Sequence, residues 1–121
     1  MKKKEVEKIE ERRQNIRVKK TLSVVQCDSE YLLEHNYLSM DISENGICLL
    51  STNRIEIGED ITLGIYLPES KIPVVATGSV VRRNETGDEK YPYLVGIQFT
   101  QINDTDYERI QAHIRYYTLQ E

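Results

Sequence analysis

No stretch of this 121-residue chain approaches the run of about 18 apolar residues that a membrane-spanning helix needs. Tryptophan is absent and phenylalanine occurs once, so a single-stranded nucleic-acid groove would have to draw its stacking platforms almost entirely from tyrosine. Cysteine is confined to Cys27 and Cys48, in separate apolar segments with no CxxC pairing and no histidine at ligand spacing. Two reduced, packed thiols are therefore expected, and no metal or redox centre. His35 and His113 stand far apart, and GxSxG, Walker-loop and HExxH patterns are all missing. Those gaps remove the usual signatures of nucleophilic, nucleotide-hydrolysing and metal-dependent catalysis, and the expectation is a chain that catalyses nothing. The start, Met1-Lys2-Lys3-Lys4-Glu5, runs into charge instead of an apolar signal core. A cytoplasmic protein without membrane insertion is expected from it.

The length suits one domain with a single core. Its charge is unevenly spread: the first 20 residues hold nine Lys or Arg against four Glu, a balance of +5, which leaves −9 for the other 101. A basic arm on an acidic body argues against DNA or RNA, which most of the surface would repel, and favours a local anionic ligand. Residues 1–11 are expected to form a charged, mobile arm, and residues 12–121 the folded domain.

Period-two patterning dominates that domain. Residues 18–27, 31–42 and 46–51 read as strands, the first two separated by the turn Asp28-Ser29-Glu30. Ile61, Leu63, Ile65 and Leu67 alternate as a half-buried strand should, with Pro68 closing it. Residues 73–83 and 91–100 form two further runs around a loop of hairpin type, and in the second Tyr93, Val95, Ile97 and Phe99 face one side. Six closely spaced strands predict a small antiparallel barrel or sandwich. Only the C-terminal end has helical periodicity: Tyr107, Ile110, Ile114 and Tyr117 recur as one apolar stripe, with Asn103 or Asp104 as cap and acids in the first turn. This helix is expected to lie against the sheet, with His113 on its outer surface.

Two clusters rise above that background. Arg12-Arg13-Gln14-Asn15-Ile16-Arg17 precedes the first strand, and guanidinium forks bind phosphate oxygens and the O6/N7 edge of guanine with paired hydrogen bonds that an ammonium cannot reproduce. Asp41-Ile42-Ser43-Glu44-Asn45-Gly46 interrupts two strand-like runs. Asn45-Gly46 is a hairpin pair that tolerates positive φ. Asp41 and Ser43, two apart at a strand end, should point to one face, where the carboxylate complements the N1–H and N2–H donors of guanine. Together the clusters suit a guanine nucleotide, and a cyclic dinucleotide with two guanines and two phosphates would use both.

On these residues the sequence resembles a PilZ domain, whose signature motifs are RxxxR and [D/N]xSxxG. Residues 13–17 fit the first, with Arg12 as an added arginine, and residues 41–46 fit the second; residues 76–81 and 95–99 look like the family's later strands. The resemblance implies an all-β fold, a six-stranded antiparallel barrel with a C-terminal α-helix, that binds cyclic di-GMP. It implies that Arg13 and Arg17, helped by Arg12, grip guanine edges and phosphates, that Asp41 and Ser43 hydrogen-bond a guanine, and that Gly46 supplies the turn and close approach. Arg82 is a further candidate for base stacking or phosphate contact. The arginine segment would order over the ligand and alter the surface seen by a downstream protein. The rival expectation is a PilZ-like protein-docking module that binds no nucleotide.

Overall fold

Side chains two apart along an extended chain share a face, and here the apolar faces close on one another. The computed structural model, which describes residues 16–27 and 32–119, contains β1 (Ser23–Cys27), β2 (Leu32–Ile42), β3 (Gly46–Ser51), β4 (Asp60–Tyr66), β5 (Val74–Glu85), β6 (Tyr93–Ile102) and the helix α1 (Asp104–Leu119). The strands form a closed barrel in the order β1-β2-β3-β6-β5-β4, and every pairing is antiparallel. Closure leaves no free sheet edge among the described residues. The expected six-stranded barrel with its C-terminal helix is the fold observed. The arm over residues 1–11 and the turn Asp28-Ser29-Glu30 lie outside the described residues, and no described helix is long and apolar enough to cross a membrane.

The interior is filled by the alternating positions. Val24, Leu49, Leu63, Ile65, Val74 and Val95 are fully buried, with Ile47, Ile61, Val80 and Ile97 beside them. Tyr37 is buried among them and donates its hydroxyl hydrogen to Gln26 Oε1 at 2.7 Å. Burial, seconded by the charge of Glu59, pushes its phenol up to about 12. Ile110 and Ile114 of α1 join the same core, and Tyr93, Phe99 and Tyr117 pack on its margin.

The first strand is shorter than its composition predicts, beginning at Ser23 instead of residue 18. Val18 and Leu22 are buried, but the backbone between them leaves the ladder. The buried Ser39 hydroxyl accepts from Leu22 N at 2.9 Å and donates to Lys20 O at 3.0 Å, while Val18 makes an isolated bridge to Ile42. A side-chain oxygen has thus replaced a strand partner, which β-propensity cannot foresee.

Asn103 caps α1. Its side chain accepts from Asp106 N at 2.8 Å and donates to Asp106 Oδ2 at 3.1 Å, a reciprocal arrangement that satisfies a helix-end donor. Asp106 also accepts from Val75 N at 3.1 Å, and Arg109 donates to the carbonyls of Ile72 and Pro73. These bonds latch the helix start to the start of β5. His113 contradicts the expectation of a surface position: it is 2% exposed, with its ring 4.7 Å from that of Tyr117. Position 113 lies three residues after Ile110 and four before Tyr117, so it belongs to the apolar stripe.

Candidate functional site

The bridge between Val18 and Ile42, made of bonds of 2.9 and 3.1 Å, delivers Arg17 to the end of β2. There Arg17 Nε donates to Asp41 Oδ1, and Nη1 donates to Ser43 Oγ at 3.1 Å. The Ser43 hydroxyl, 1% exposed, also accepts from Asn45 N at 3.3 Å and donates weakly to Gly46 O. A backbone bond from Ser43 N to Gly46 O closes the hairpin at 2.9 Å. Asp41 and Ser43 therefore act on one partner, as their spacing suggests, and that partner is Arg17. The guanidinium is held by a carboxylate and a hydroxyl that the turn itself fixes in place. Arg12 and Arg13 lie outside the described residues.

Gly46 is needed for a reason other than the expected turn conformation. Neither it nor Asn45 has positive φ. A Cβ at position 46 would lie 2.2 Å from the carbonyl oxygen of Ile97 and 3.3 Å from Gln98 Cα. Gly46 pairs with Gln98 across β3 and β6, and Asn45 O accepts from Phe99 N at 2.8 Å. The glycine allows two backbones to approach where the motif meets β6.

Strand register extends the site beyond the two motifs. Asp41 pairs with Cys48, Cys48 with Gly96, and Gly96 with Arg82, one row across β2, β3, β6 and β5. At about 4.8 Å per strand the row spans roughly 14 Å. It has an acid and Arg17 at one end, Arg82 at the other, and small residues between. Gly96 gives Arg82 the space to lie across β6, since a Cβ there would be 3.3 Å from Arg82 Cβ and 3.4 Å from its Nε. The Cys48 thiol is pushed up by burial and by the charge of Asp41, against the hydrogen bond and charge of Arg82 and the charge of Arg17. The three charged groups thus all act on the middle of the row.

Beside it opens a cavity of about 260 Å³ bordered by Arg17, Gly46, Val81, Arg82, Gly96 and Gln98. Val81, 52% exposed, offers an apolar floor between cations. Arg83, one residue on, faces the other way and is spent on Ile55 O and Glu56 Oε2, both at 3.0 Å. Adjacent strand residues point to opposite faces, and the register of the β5–β6 hairpin, with its irregularity between Val80 and Arg82, sets Arg82, the further candidate from the sequence, in the row and Arg83 outside it.

A closed six-stranded antiparallel barrel, followed by a C-terminal helix and carrying an arginine clamped by an Asp-x-Ser-x-x-Gly turn, defines a small all-β barrel domain. The PilZ domain model matches residues 11–116, and the chain belongs to that family. Among solved structures it is similar to the Bacillus subtilis inhibitor of motility MotI/DgrA, with a TM-score of 0.72 and 20% identity over 88% of this chain and 51% of that one. It is also similar to the PilZ domain with c-di-GMP of YcgR from Escherichia coli, with a TM-score of 0.64 and 10% identity over 87% of this chain and 90% of that one. The chain spans about half the length of the first of these. No curated protein matches the sequence. At these identities the structural likeness concerns the fold.

Proposed function

We propose that this chain is a non-catalytic, cytoplasmic receptor for cyclic di-GMP that passes the signal to a downstream protein. The observation that carries the reading is the clamp of Arg17 by Asp41 and Ser43. It assembles a guanine-complementary carboxylate and a phosphate-complementary guanidinium at one point. Membership of the PilZ family supports the reading, as does the likeness to the YcgR domain, whose structure is one with c-di-GMP. The Asp41 carboxylate accepts from N1–H and N2–H of one guanine, while the Arg17 fork turns to O6/N7 or a phosphate oxygen. Arg12 and Arg13 add two further forks from the preceding segment, and Arg82 receives the far side of the ligand.

Magnitudes favour the exchange. The Arg17–Asp41 pair is partly solvated, with side chains 39% and 21% exposed, and such pairs contribute about 0–1 kcal/mol. Each charge-assisted bond to the ligand contributes about 1.5–3 kcal/mol. Two or more of them offset the loss of the resting clamp. As the two phosphates neutralise the arginine segment, that segment orders over the ligand and the surface available to a partner changes. Hydrogen exchange over residues 1–15 should slow on saturation with ligand, and equal exchange in both states would remove the ordering step while leaving binding intact.

One observation favours a second reading. Two donor groups of Arg17 are already engaged and the Ser43 hydroxyl is fully used, so the motif can also stand as a self-satisfied structural clamp on a protein-docking barrel that takes no nucleotide. Calorimetric titration separates the two. The receptor reading expects saturable cyclic di-GMP binding, no comparable binding of GTP, and losses of at least about 1.5 kcal/mol in Arg13→Ala and Asp41→Ala. A folded wild type that releases no heat with cyclic di-GMP supports the docking module instead.

A further inference from the structure

A second cavity, of about 410 Å³, lies away from the arginine clamp and is lined by Pro68, Glu69, Ala112, His113, Tyr116 and Tyr117. Three of its walls are aromatic rings set at steep angles. Tyr116 meets Tyr117 edge-on at 4.9 Å and 86°, and His113 meets Tyr117 at 4.7 Å and 58°. Its single formal charge is the Glu69 carboxylate, which is exposed and makes no ion pair among the described residues. His113 is buried, and neither ring nitrogen has a hydrogen-bond partner among the described residues. Desolvation holds it below the ordinary imidazole value, against the charge of Glu69 and together with that of Lys20. Near neutral pH the ring is therefore an uncharged aromatic wall. The lining presents ring faces and one carboxylate, an electron-rich set that complements a cation.

The same aromatic cluster already receives one. Lys20 Nζ sits 4.7 Å from the centroid of the Tyr117 ring, and Lys20 does not line the cavity. Tyr116, 57% exposed, leaves its side of the cavity open to a visitor. A guanidinium suits this chemistry better than an ammonium, because its plane stacks on tyrosine while its fork pairs with a carboxylate.

We propose that the cavity between α1 and the Pro68–Glu69 turn is a docking site for an arginine side chain of a partner protein, stacked on Tyr116 and paired with Glu69. It is independent of nucleotide binding, and its residues share none with the clamp. The acidic balance of the chain beyond residue 20 favours the approach of a basic partner segment over long distances.

The test follows the His113, Tyr116 and Tyr117 ring resonances of the full chain while N-acetyl-arginine amide is added, with N-acetyl-norleucine amide as the uncharged counterpart of similar reach. Saturable shifts with the arginine compound are expected, at least fivefold weaker with norleucine. Glu69→Gln and Tyr116→Leu, both at exposed positions, should each weaken binding at least threefold while backbone spectra remain those of the wild type. Acidification through the titration of His113 should weaken it further, as the wall acquires a charge beside Lys20. Absence of saturable shifts, equal binding of the norleucine compound, or full binding by Glu69→Gln would overturn the assignment. A failure to bind cyclic di-GMP, measured separately, bears on the clamp and not on this cavity.

Discussion

A methyl group at position 46 would press on the backbone carbonyl of Ile97 at 2.2 Å, and neither strand can retreat without disturbing the β3–β6 ladder. Gly46→Ala should therefore lower unfolding free energy by about 2–3 kcal/mol, at the upper end of overpacking penalties, measured by urea denaturation. A loss below about 0.5 kcal/mol would mean that the strands do not approach so closely. His113 sets a different demand. In the unfolded chain it takes up a proton near pH 6.5, whereas burial lowers its affinity for that proton in the fold. Its contribution to stability is complete above the unfolded value and is lost as pH falls through the lower folded value. The denaturation midpoint of the wild type should drop as pH is lowered from about 6.5, the unfolded value, toward the lower folded value. His113→Leu should show a smaller drop, and identical drops would exclude His113 as the cause.

At the scale of elements, the site depends on how four strands align more than on either motif. Arg82 reaches the row of Asp41 because β3 and β6 pair Cys48 with Gly96 and the β5–β6 hairpin pairs Gly96 with Arg82. If the row forms one binding face, Arg82→Ala should weaken cyclic di-GMP binding about tenfold, equivalent to one charge-assisted contact of about 1.4 kcal/mol, and leave stability within about 0.5 kcal/mol. Unchanged affinity would confine the site to the motif end of the row. The six strands were legible from the alternation of Ile61, Leu63 and Ile65 and from Val95 and Ile97, because burial on one face of a strand imposes that period. The motif turn was legible because Asp41 and Ser43 must lie near one another whatever the tertiary fold. Register was not, since the pairing of Arg82 with Gly96 depends on a strand irregularity that leaves no mark in composition. The departure of residues 18–22 from β1 was equally hidden, because a single buried hydroxyl at Ser39 decides it. For His113 the helical position, three residues after Ile110 and four before Tyr117, outweighs the polarity of the side chain and places it in the core.

For the molecule as a whole, the closed barrel is a frame on which two separate surfaces are displayed. One gathers Arg17, Asp41, Ser43 and Arg82 around an anion-complementary trough, and the other sets tyrosines and Glu69 around a cation-complementary cavity. Lys20 stands three residues after Arg17 and rests on Tyr117, so the segment that leaves the clamp runs to the aromatic cluster of α1. The proposed receptor function turns on the clamp opening for the ligand. Its most direct test is the Nε–Hε resonance of Arg17, assigned through an Arg17→Lys variant and followed as cyclic di-GMP is added. A large shift that tracks saturation is predicted, as Asp41 transfers its acceptance from Arg17 to guanine, together with at least tenfold weaker binding in Asp41→Asn. A resonance that stays at its ligand-free position while the protein saturates, with affinity unchanged in Asp41→Asn, would contradict an opening clamp.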